Sequence, residues 1–337
     1  MPAVRRVGAR IVEPVDGSVA LSRPARRLQS EMTDDGVVVE AEDRVLRLVL
    51  EELEYARRPP LFERRAPIYG SIVVPGDRSL IESGELVDLI PLDAMPLDAA
   101  RRFADGRSTY LVRQPDRPLQ LACFRRSVQY EADLVEIQAD IGAIIVQRTA
   151  MGGVTRAFTE TGAVEWAGYR WTNRPNARTQ HEALQPFLPG VDKPVLAGLL
   201  ELAVHWLSPA RVGATLVLPG DNAEEGLDLE HSVVSPALTV TTRYHYPALF
   251  AALMQTDLAT IVAADGSVLR LAVGLRATPE AGSTIDHPRG MRHRSAVRYT
   301  FDQPGALAVV VSEDGPVTVF LRGRPLSECL AGTQNAG

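Results

Sequence analysis

The chain has 337 residues, a formal net charge of −6 and a hydrophobic fraction of 45%. That length suits two ordinary domains better than one, and the hydrophobic fraction excludes global disorder. The mild acidity argues against a protein that coats nucleic acid, because such proteins carry a basic excess.

Three further features of the composition limit the chemistry. Lys193 is the only lysine, so contacts to phosphate must come from arginine, histidine or backbone N–H groups. Cys123 and Cys329 form no metal-spaced cluster, which fits a reducing compartment. No signal-peptide pattern follows Met1, and no stretch approaches the roughly 20 apolar residues of a membrane helix. The sequence therefore predicts a soluble, cytoplasmic protein with no membrane partner.

The first half of the chain predicts a smaller α+β domain over residues 1–180. Residues 1–40 show no clear pattern, and the first helix is expected at 42–58, where Pro59-Pro60 ends it. A short helix is expected at 96–103. The section 119–172 is rich in strand and turn signals. The predicted strands are 68–74, 109–113, 119–124, 134–138, 143–147 and 164–172.

The second half predicts an α/β domain over residues 190–330. A linker is expected at 173–189, followed by a helix from Pro194 to Trp206 and a second helix at 246–255. Strands interspersed with helices indicate a mixed central sheet flanked by helices. The predicted strands are 212–218, 260–263, 268–273, 306–311 and 317–321.

Three short segments of the second half carry possible chemistry. The first is Asp265-Gly266-Ser267, which lies between two apolar runs. Taken alone it is a hairpin turn, because Asp-Gly is among the strongest hairpin signals. The third is Ser312-Glu313, which places a hydroxyl and a carboxylate at the end of an apolar strand, where open α/β sheets bind ligands.

The second segment is predicted as a loop in which two arginines flank a histidine after a glycine. Taken alone it is a solvated basic turn. However, arginine offers forked donors that match phosphate oxygens, and glycine lets backbone N–H groups approach an anion. The segment reads Gly290-Met291-Arg292-His293-Arg294-Ser295.

In this order and spacing, the three segments resemble the diadenylate cyclase family. That family shows Asp-Gly-Ala, then Gly-Thr-Arg-His-Arg, then often Val-Ser-Glu. The Gly213-Ala214 strand after a helix end also resembles the family's opening, and the resemblance covers about 191–324. It implies a soluble enzyme that joins two ATP molecules into cyclic di-AMP and releases two pyrophosphates.

The resemblance also implies roles for individual residues. Asp265 would bind a catalytic Mg²⁺ or Mn²⁺, assisted by Glu313, and would help to deprotonate the ribose 3′-hydroxyl. Arg292, His293 and Arg294 would hold the triphosphate. The product needs two linkages, so two chains would have to face each other in a dimer or a larger assembly. The further nucleotide-binding positions are Gly213, Gly266, Ser267, Gly290, Met291, Ser295 and Ser312.

Two departures from the family pattern leave alternatives open. Ser267 replaces the family's alanine, and Met291 replaces its threonine. A nucleotide-binding regulator that has lost catalysis is therefore a second hypothesis. A nucleic-acid scaffold ranks last, because no basic module follows the cyclase-like segment. The first domain faintly resembles sensor modules that precede such cyclases, and its regulatory ligand or partner is unknown.

Overall fold

The computed structural model contains two domains, each built on a mixed sheet with helices on both faces. No helix among the described residues is long and apolar enough to cross a membrane. The described residues are 21–61, 63, 66–76, 86–149, 154–166, 168–220, 225–284, 290–313 and 315–326.

Within the described residues, the first sheet has eight strands. They are β1 (Tyr69–Val73), β2 (Leu86–Pro91), β3 (Thr109–Arg113), β4 (Gln120–Phe124), β5 (Ile144–Arg148), β6 (Thr155–Phe158), β7 (Gly162–Trp166) and β8 (Trp171–Pro175). Their order in the sheet is β2-β4-β3-β1-β5-β6-β7-β8. Strands β1 and β3 run parallel, and the other neighbouring pairs run antiparallel.

Helices pack on both faces of the first sheet. The buried sides of α1 (Arg23–Asp34) and α2 (Asp43–Arg57) share one core with the sheet. On the other face lie α4 (Glu131–Ile141) and its own core. A short helix, α3 (Leu97–Ala100), continues into a 3-10 turn before β3. The sheet therefore has two hydrophobic sides, as a three-layer arrangement requires.

Several predictions for this half of the chain were wrong. The strand predicted at 134–138 is part of α4, because Leu134, Ile137 and Ile141 are buried at helical spacing. Residues 23–34 form α1, with Pro24 in its first turn and Ser22 capping it. The predicted linker holds the end of β8 and a helix, α5 (Ala177–Leu184). Strands β2 and β6 were missed.

The described residues of the second domain form eight further strands. They are β9 (Ala214–Leu218), β10 (Leu227–Asp228), β11 (Val233–Val234), β12 (Ala259–Val262), β13 (Val268–Leu275), β14 (Leu307–Val311), β15 (Val317–Leu321) and β16 (Arg324–Pro325). The order is β10-β13-β12-β9-β14-β15-β16, and β11 also pairs with β13. Strand β9 runs parallel to β12 and antiparallel to β14. The predicted mixed sheet is confirmed.

In the described part of the second domain, four helices flank the sheet. One face packs against α6 (Lys193–Glu201) and α7 (Tyr246–Leu253), and the other face packs against α9 (Met291–Asp302). A short helix, α8 (Pro279–Thr284), precedes α9. Helix α6 continues directly into a π-helical segment, Leu202–Leu207. Such segments are rare and occur mostly as single turns within helices.

A buried carboxylate joins the two domains. Glu131, at the first position of α4, is fully buried, and both of its oxygens accept hydrogen bonds at 2.6 Å from Arg174. Arg156 donates a third bond at 3.0 Å. From the second domain, His205 accepts a bond from the Ala177 N–H on Nε2 and therefore carries its proton on Nδ1, which lies 2.9 Å from Glu131.

Further contacts continue this junction. Arg174 also donates to the Val204 carbonyl, within the π-helical segment. Arg243 pairs with Glu136 of the first domain and Glu201 of the second. Burial alone would raise the pKa of Glu131, but Arg174, His205 and Arg156 outweigh burial and hold that pKa well below its ordinary value. The carboxylate is therefore ionised at neutral pH and fully hydrogen-bonded.

Glu131→Gln tests this junction. We expect the free energy of unfolding to fall by about 3–5 kcal/mol at neutral pH, because the buried Arg156 and the half-buried Arg174 lose their counter-charge. A carboxylate with a depressed folded pKa stabilises the protein above its unfolded pKa and loses that contribution as pH falls. The difference in unfolding free energy between the native chain and the variant should therefore become smaller as pH drops below the ordinary glutamate pKa of 4.5. Urea unfolding at several pH values measures this difference.

Glu136→Gln is the matched control on the same helix. Glu136 is exposed and pairs with Arg243 at the surface, so its loss should cost no more than about 1 kcal/mol. Equal destabilisation by both substitutions, or a deficit of Glu131→Gln that does not change with pH, would contradict the role given to Glu131.

Candidate functional site

The Asp265-Gly266-Ser267 segment forms the tight turn that joins β12 to β13. The Gly266 N–H donates to the Ala263 carbonyl, and the Ser267 N–H donates to Asp265 Oδ1 at 2.8 Å. The Asp265 carboxylate is exposed, and the bond from the Ser267 N–H lowers its pKa. It is therefore an ionised acceptor that is open to a ligand. Ser267 is half-buried beside it.

The chain around Gly266 requires a glycine. Its φ of +86° lies in the left-handed region, and a Cβ there would meet Thr241 Cγ2 at 2.8 Å. The Gly266 carbonyl accepts bonds from the Val240 N–H and from the Thr239 hydroxyl, both at 2.9 Å. The segment 239–241 thus holds the turn from one side. The turn's position is set by packing as well as by its own hydrogen bonds.

Arg292 occupies the first turn of α9 and lies between two carboxylates. Its Nη1 is 2.9 Å from Glu313 Oε1 and its Nη2 is 3.1 Å from Asp257 Oδ1. The Glu313 carboxylate raises the pKa of Arg292, so the guanidinium stays charged. A Cβ on Gly213 would overlap Arg292 and Glu313. Gly213 thus makes room for this ion pair.

The remaining residues of the Arg-His-Arg segment point in different directions because they lie on a helix. The predicted loop is wrong: Gly290 caps α9, and the helix starts at Met291. His293 is 5% exposed, and its Nε2 lies 3.3 Å from the Thr318 hydroxyl of β15. Successive helical positions differ by about 100°, so His293 faces the sheet. The exposed positions are Gly290, Met291 and Arg294, and Ser295 is half-buried.

The structure does not bring all predicted site residues together within one chain. Strand β9 pairs in parallel with β12, with Thr215 opposite Ala259, and antiparallel with β14, with Ala214 opposite Val311. The Asp265 turn follows the carboxyl end of β12. Ser312 and Glu313 follow β14, at the opposite end of the sheet. Five residues of strand, at about 3.3 Å each, separate these two ends by roughly 15 Å or more.

This separation bears on the predicted metal ligands. Within one chain, Asp265 and Glu313 lie too far apart to hold the same ion. Among the described residues, no group of three or more His, Cys, Asp or Glu side chains could hold a metal by itself. Asp265 alone still fits a hard divalent cation, because it is ionised and exposed, and Mg²⁺ commonly uses one or two carboxylates together with substrate phosphates.

Comparison with known proteins gives two family matches that follow one another along the chain. Residues 201–324 match the family described as "DisA bacterial checkpoint controller nucleotide-binding" (DAC). Residues 26–174 match the family described as "Probable sensor domain DACNK". The second domain thus matches the DAC family, and the first matches the DACNK family. No curated protein matches the chain.

Two solved structures show a distant likeness. A hypothetical membrane spanning protein from Bacillus cereus is 22% identical, with a TM-score of 0.33, over 44% of this chain and 72% of that one. A double mutant of DacA from Staphylococcus aureus is 19% identical, with a TM-score of 0.29, over 48% of this chain and 99% of that one. The family assignment rests on the two family matches.

Sequence reasoning missed some residues of the DAC domain site. Asp257 is the second carboxylate beside Arg292, and Thr239 and Thr241 support the Asp265 turn. Asp257 precedes β12 and could have been noticed, because the strand that leads into the Asp-Gly turn starts two residues later. The two threonines sit about 25 residues from the turn and carry no local signal of their role.

Gly266→Ala tests the constraint on the turn. We expect the free energy of unfolding to fall by about 1–3 kcal/mol, because alanine is strained in the left-handed region and its Cβ would press on Thr241. Gly282→Ala is the control: Gly282 lies within α8 at a position where a Cβ meets nothing within 4 Å. That substitution should be neutral or slightly stabilising in urea unfolding. An equal fall in unfolding free energy for both substitutions would mean that the turn does not need glycine.

Proposed function

We propose that the protein is a diadenylate cyclase that converts two ATP molecules into cyclic di-AMP and two pyrophosphates. In each of two steps, a ribose 3′-oxygen forms a bond to the α-phosphorus of the other ATP. The bond from that phosphorus to the pyrophosphate oxygen breaks, and the hydroxyl proton passes to a carboxylate or to water. The DAC domain and its exposed Asp265 carboxylate support this reaction.

Asp265 is proposed to orient the 3′-hydroxyl and to hold a divalent cation. Its lowered pKa makes it a weak base, so positioning matters more than its intrinsic proton affinity. When bound, Mg²⁺ or Mn²⁺ supplies positive charge against the triphosphate and lowers the pKa of the hydroxyl. The Ser267 N–H fixes one carboxylate oxygen and leaves the other accessible to the substrate.

The α9 end of the DAC domain is proposed to hold the triphosphate. The exposed Arg294 and the charged Arg292 supply forked donors, and the amino end of α9 favours anions. Arg292 now pairs with Glu313 and Asp257, so a nucleotide must compete with two carboxylates for it. His293 faces β15, and its proposed part is to fix the first turn of α9.

The observation that carries this proposal is that the Asp265 turn and the Arg292–Glu313 ion pair lie at opposite ends of one sheet. A single chain cannot place the Asp265 carboxylate and the Arg292 guanidinium on the same reacting phosphate. Two chains that face each other can do so twice, with Asp265 of each chain opposite α9 of the other. This arrangement gives the two linkages that a cyclic dinucleotide needs. The reaction therefore requires self-association.

Asp265→Asn tests the role of the carboxylate. Purified protein is incubated with ATP and Mg²⁺ or Mn²⁺, and products are identified by chromatography and mass spectrometry. We expect the native chain to form cyclic di-AMP and the variant to be slower by about 10²-fold or more, since charge and positioning are lost together. ATP binding without any product from the native chain would favour the regulator hypothesis instead.

A mixing experiment tests the two-chain site. Asp265→Asn and Arg292→Ala chains should each be inactive alone. In a mixed dimer, one of the two sites has an intact Asp265 and an intact Arg292, so one linkage can form. We expect the linear dinucleotide 5′-pppApA to appear only in the mixture. If each site were built from a single chain, every site in the mixture would lack one group, and no linear product would form.

A further inference from the structure

A cavity of about 550 Å³ lies at the junction of the two domains. Helices α4 and α5 and the start of α2 line it from one side. The DAC domain contributes Ala197, Glu201, His205 and Arg243. This volume falls within the range of small-molecule sites, which occur preferentially at domain interfaces. The cavity borders α6, which packs on the face of the second sheet opposite to α9.

The interior of the cavity combines apolar walls with polar groups that lack partners. Val45, Val135 and Ile144 form part of the apolar lining. Gln138 also lines it and is only 6% exposed, yet no residue in the described part of the chain bonds its side-chain amide. The buried Nε2 of His181 likewise has no described partner. Buried polar groups are normally paired, so an occupant of the cavity or water would supply a partner for the His181 nitrogen, and the Gln138 amide, which is not fully buried, can also bond to such an occupant.

The charge of the lining is negative. Among the described residues, five glutamates and two arginines line the cavity, a formal excess of three negative charges. Arg243 pairs with Glu136 and Glu201, at 2.7 and 3.0 Å. The other three glutamates, Glu40, Glu42 and Glu160, have no ion pair within the described ranges. Such a lining repels phosphates and carboxylates and attracts a cation.

We propose that this cavity binds a small organic cation, with an ammonium or amidinium group carried on an apolar body. The charged head would pair with the free glutamates, where charge-assisted bonds are strong. The body would lie against the apolar wall, and the Gln138 amide would supply orientation. The proposal goes beyond the cyclase reaction and does not depend on it, because it concerns binding at the sensor–DAC junction.

An occupant of the cavity would touch the helix that supports the catalytic turn. Ala197 and Glu201 lie on α6, and the neighbouring Gly198 packs so closely on Val240 that a Cβ would overlap its carbonyl. Val240 in turn donates to the Gly266 carbonyl. Direct contacts through Gly198 and Val240 therefore connect the cavity to the Asp265 turn.

The test uses the full-length chain and three isosteric probes that differ in charge: benzamidinium, benzamide and benzoate. Calorimetry measures the binding of each probe. We expect saturable binding of benzamidinium, at least tenfold weaker binding of benzamide, and none of benzoate. Equal binding of all three probes, or no saturable binding of benzamidinium, would overturn the proposal.

Two variants test whether benzamidinium binds within this cavity. Glu42→Gln removes one exposed carboxylate of the lining, and Gln138→Leu removes the unpartnered amide at similar volume. Each should weaken benzamidinium binding at least fivefold. Glu280→Gln, an exposed glutamate on α8, is the matched control and should change nothing. Because Glu42 is exposed, its substitution leaves the fold intact, and unchanged binding in Glu42→Gln would refute the assignment.

Discussion

The Glu131 carboxylate is the interaction on which the relative placement of the two domains depends. It is fully buried and receives hydrogen bonds from Arg156, Arg174 and His205. A buried charge of this kind is tolerated only when its partners are all present, since each one offsets part of the cost of leaving water. One of these partners, His205, belongs to the DAC domain. The two domains therefore dock here in a geometry that satisfies all four groups at once.

That docking reaches the candidate catalytic turn through α6. The Tyr246 hydroxyl lies near the carbonyls of both Gly198 and Val240, so α6, α7 and the 239–241 segment form one packed unit. Val240 and Thr239 then fix Gly266. Interiors of this kind transmit displacement because they are close-packed. A shift of the first domain against α6 would therefore change the position of Asp265. Helix α9, on the opposite face of the second sheet, would move less.

The sequence predicted those parts of the molecule that depend on local pattern. Helix α2, most strands of both sheets and the Asp-Gly turn have periodicities or turn residues that act over a few positions. Helix α9 was missed because it begins with Met291-Arg292-His293-Arg294, which has no apolar stripe, and its buried side becomes visible only against β14 and β15. The run 134–138 is apolar enough for a strand, and only its neighbours in the fold make it helical.

The sequence predicts which residues form the candidate site and does not predict its geometry. The family resemblance singles out Asp265 and Arg292 as candidates, but it does not indicate at which end of the sheet each of them lies. That fact follows from the pairing of β9 with β12 in one direction and with β14 in the other. Long-range pairing also decides that Arg292 meets Asp257, which lies 35 positions away. Residue type is local information, whereas strand direction belongs to the whole sheet.

The π-helical segment Leu202–Leu207 has a consequence for how this domain pair could change by mutation. A π turn holds one more residue than an α turn, so deletion of one residue there would let α6 run on as an ordinary helix. Later side chains would keep nearly the same direction, because the extra residue is absorbed within the π turn itself. His205 would stay beside Glu131, and Trp206 would stay stacked on Tyr130. Loss of one codon from α6 outside this segment would instead rotate the later side chains by about 100°, so the π segment is the part of this helix where the chain can change length and keep the two domains joined.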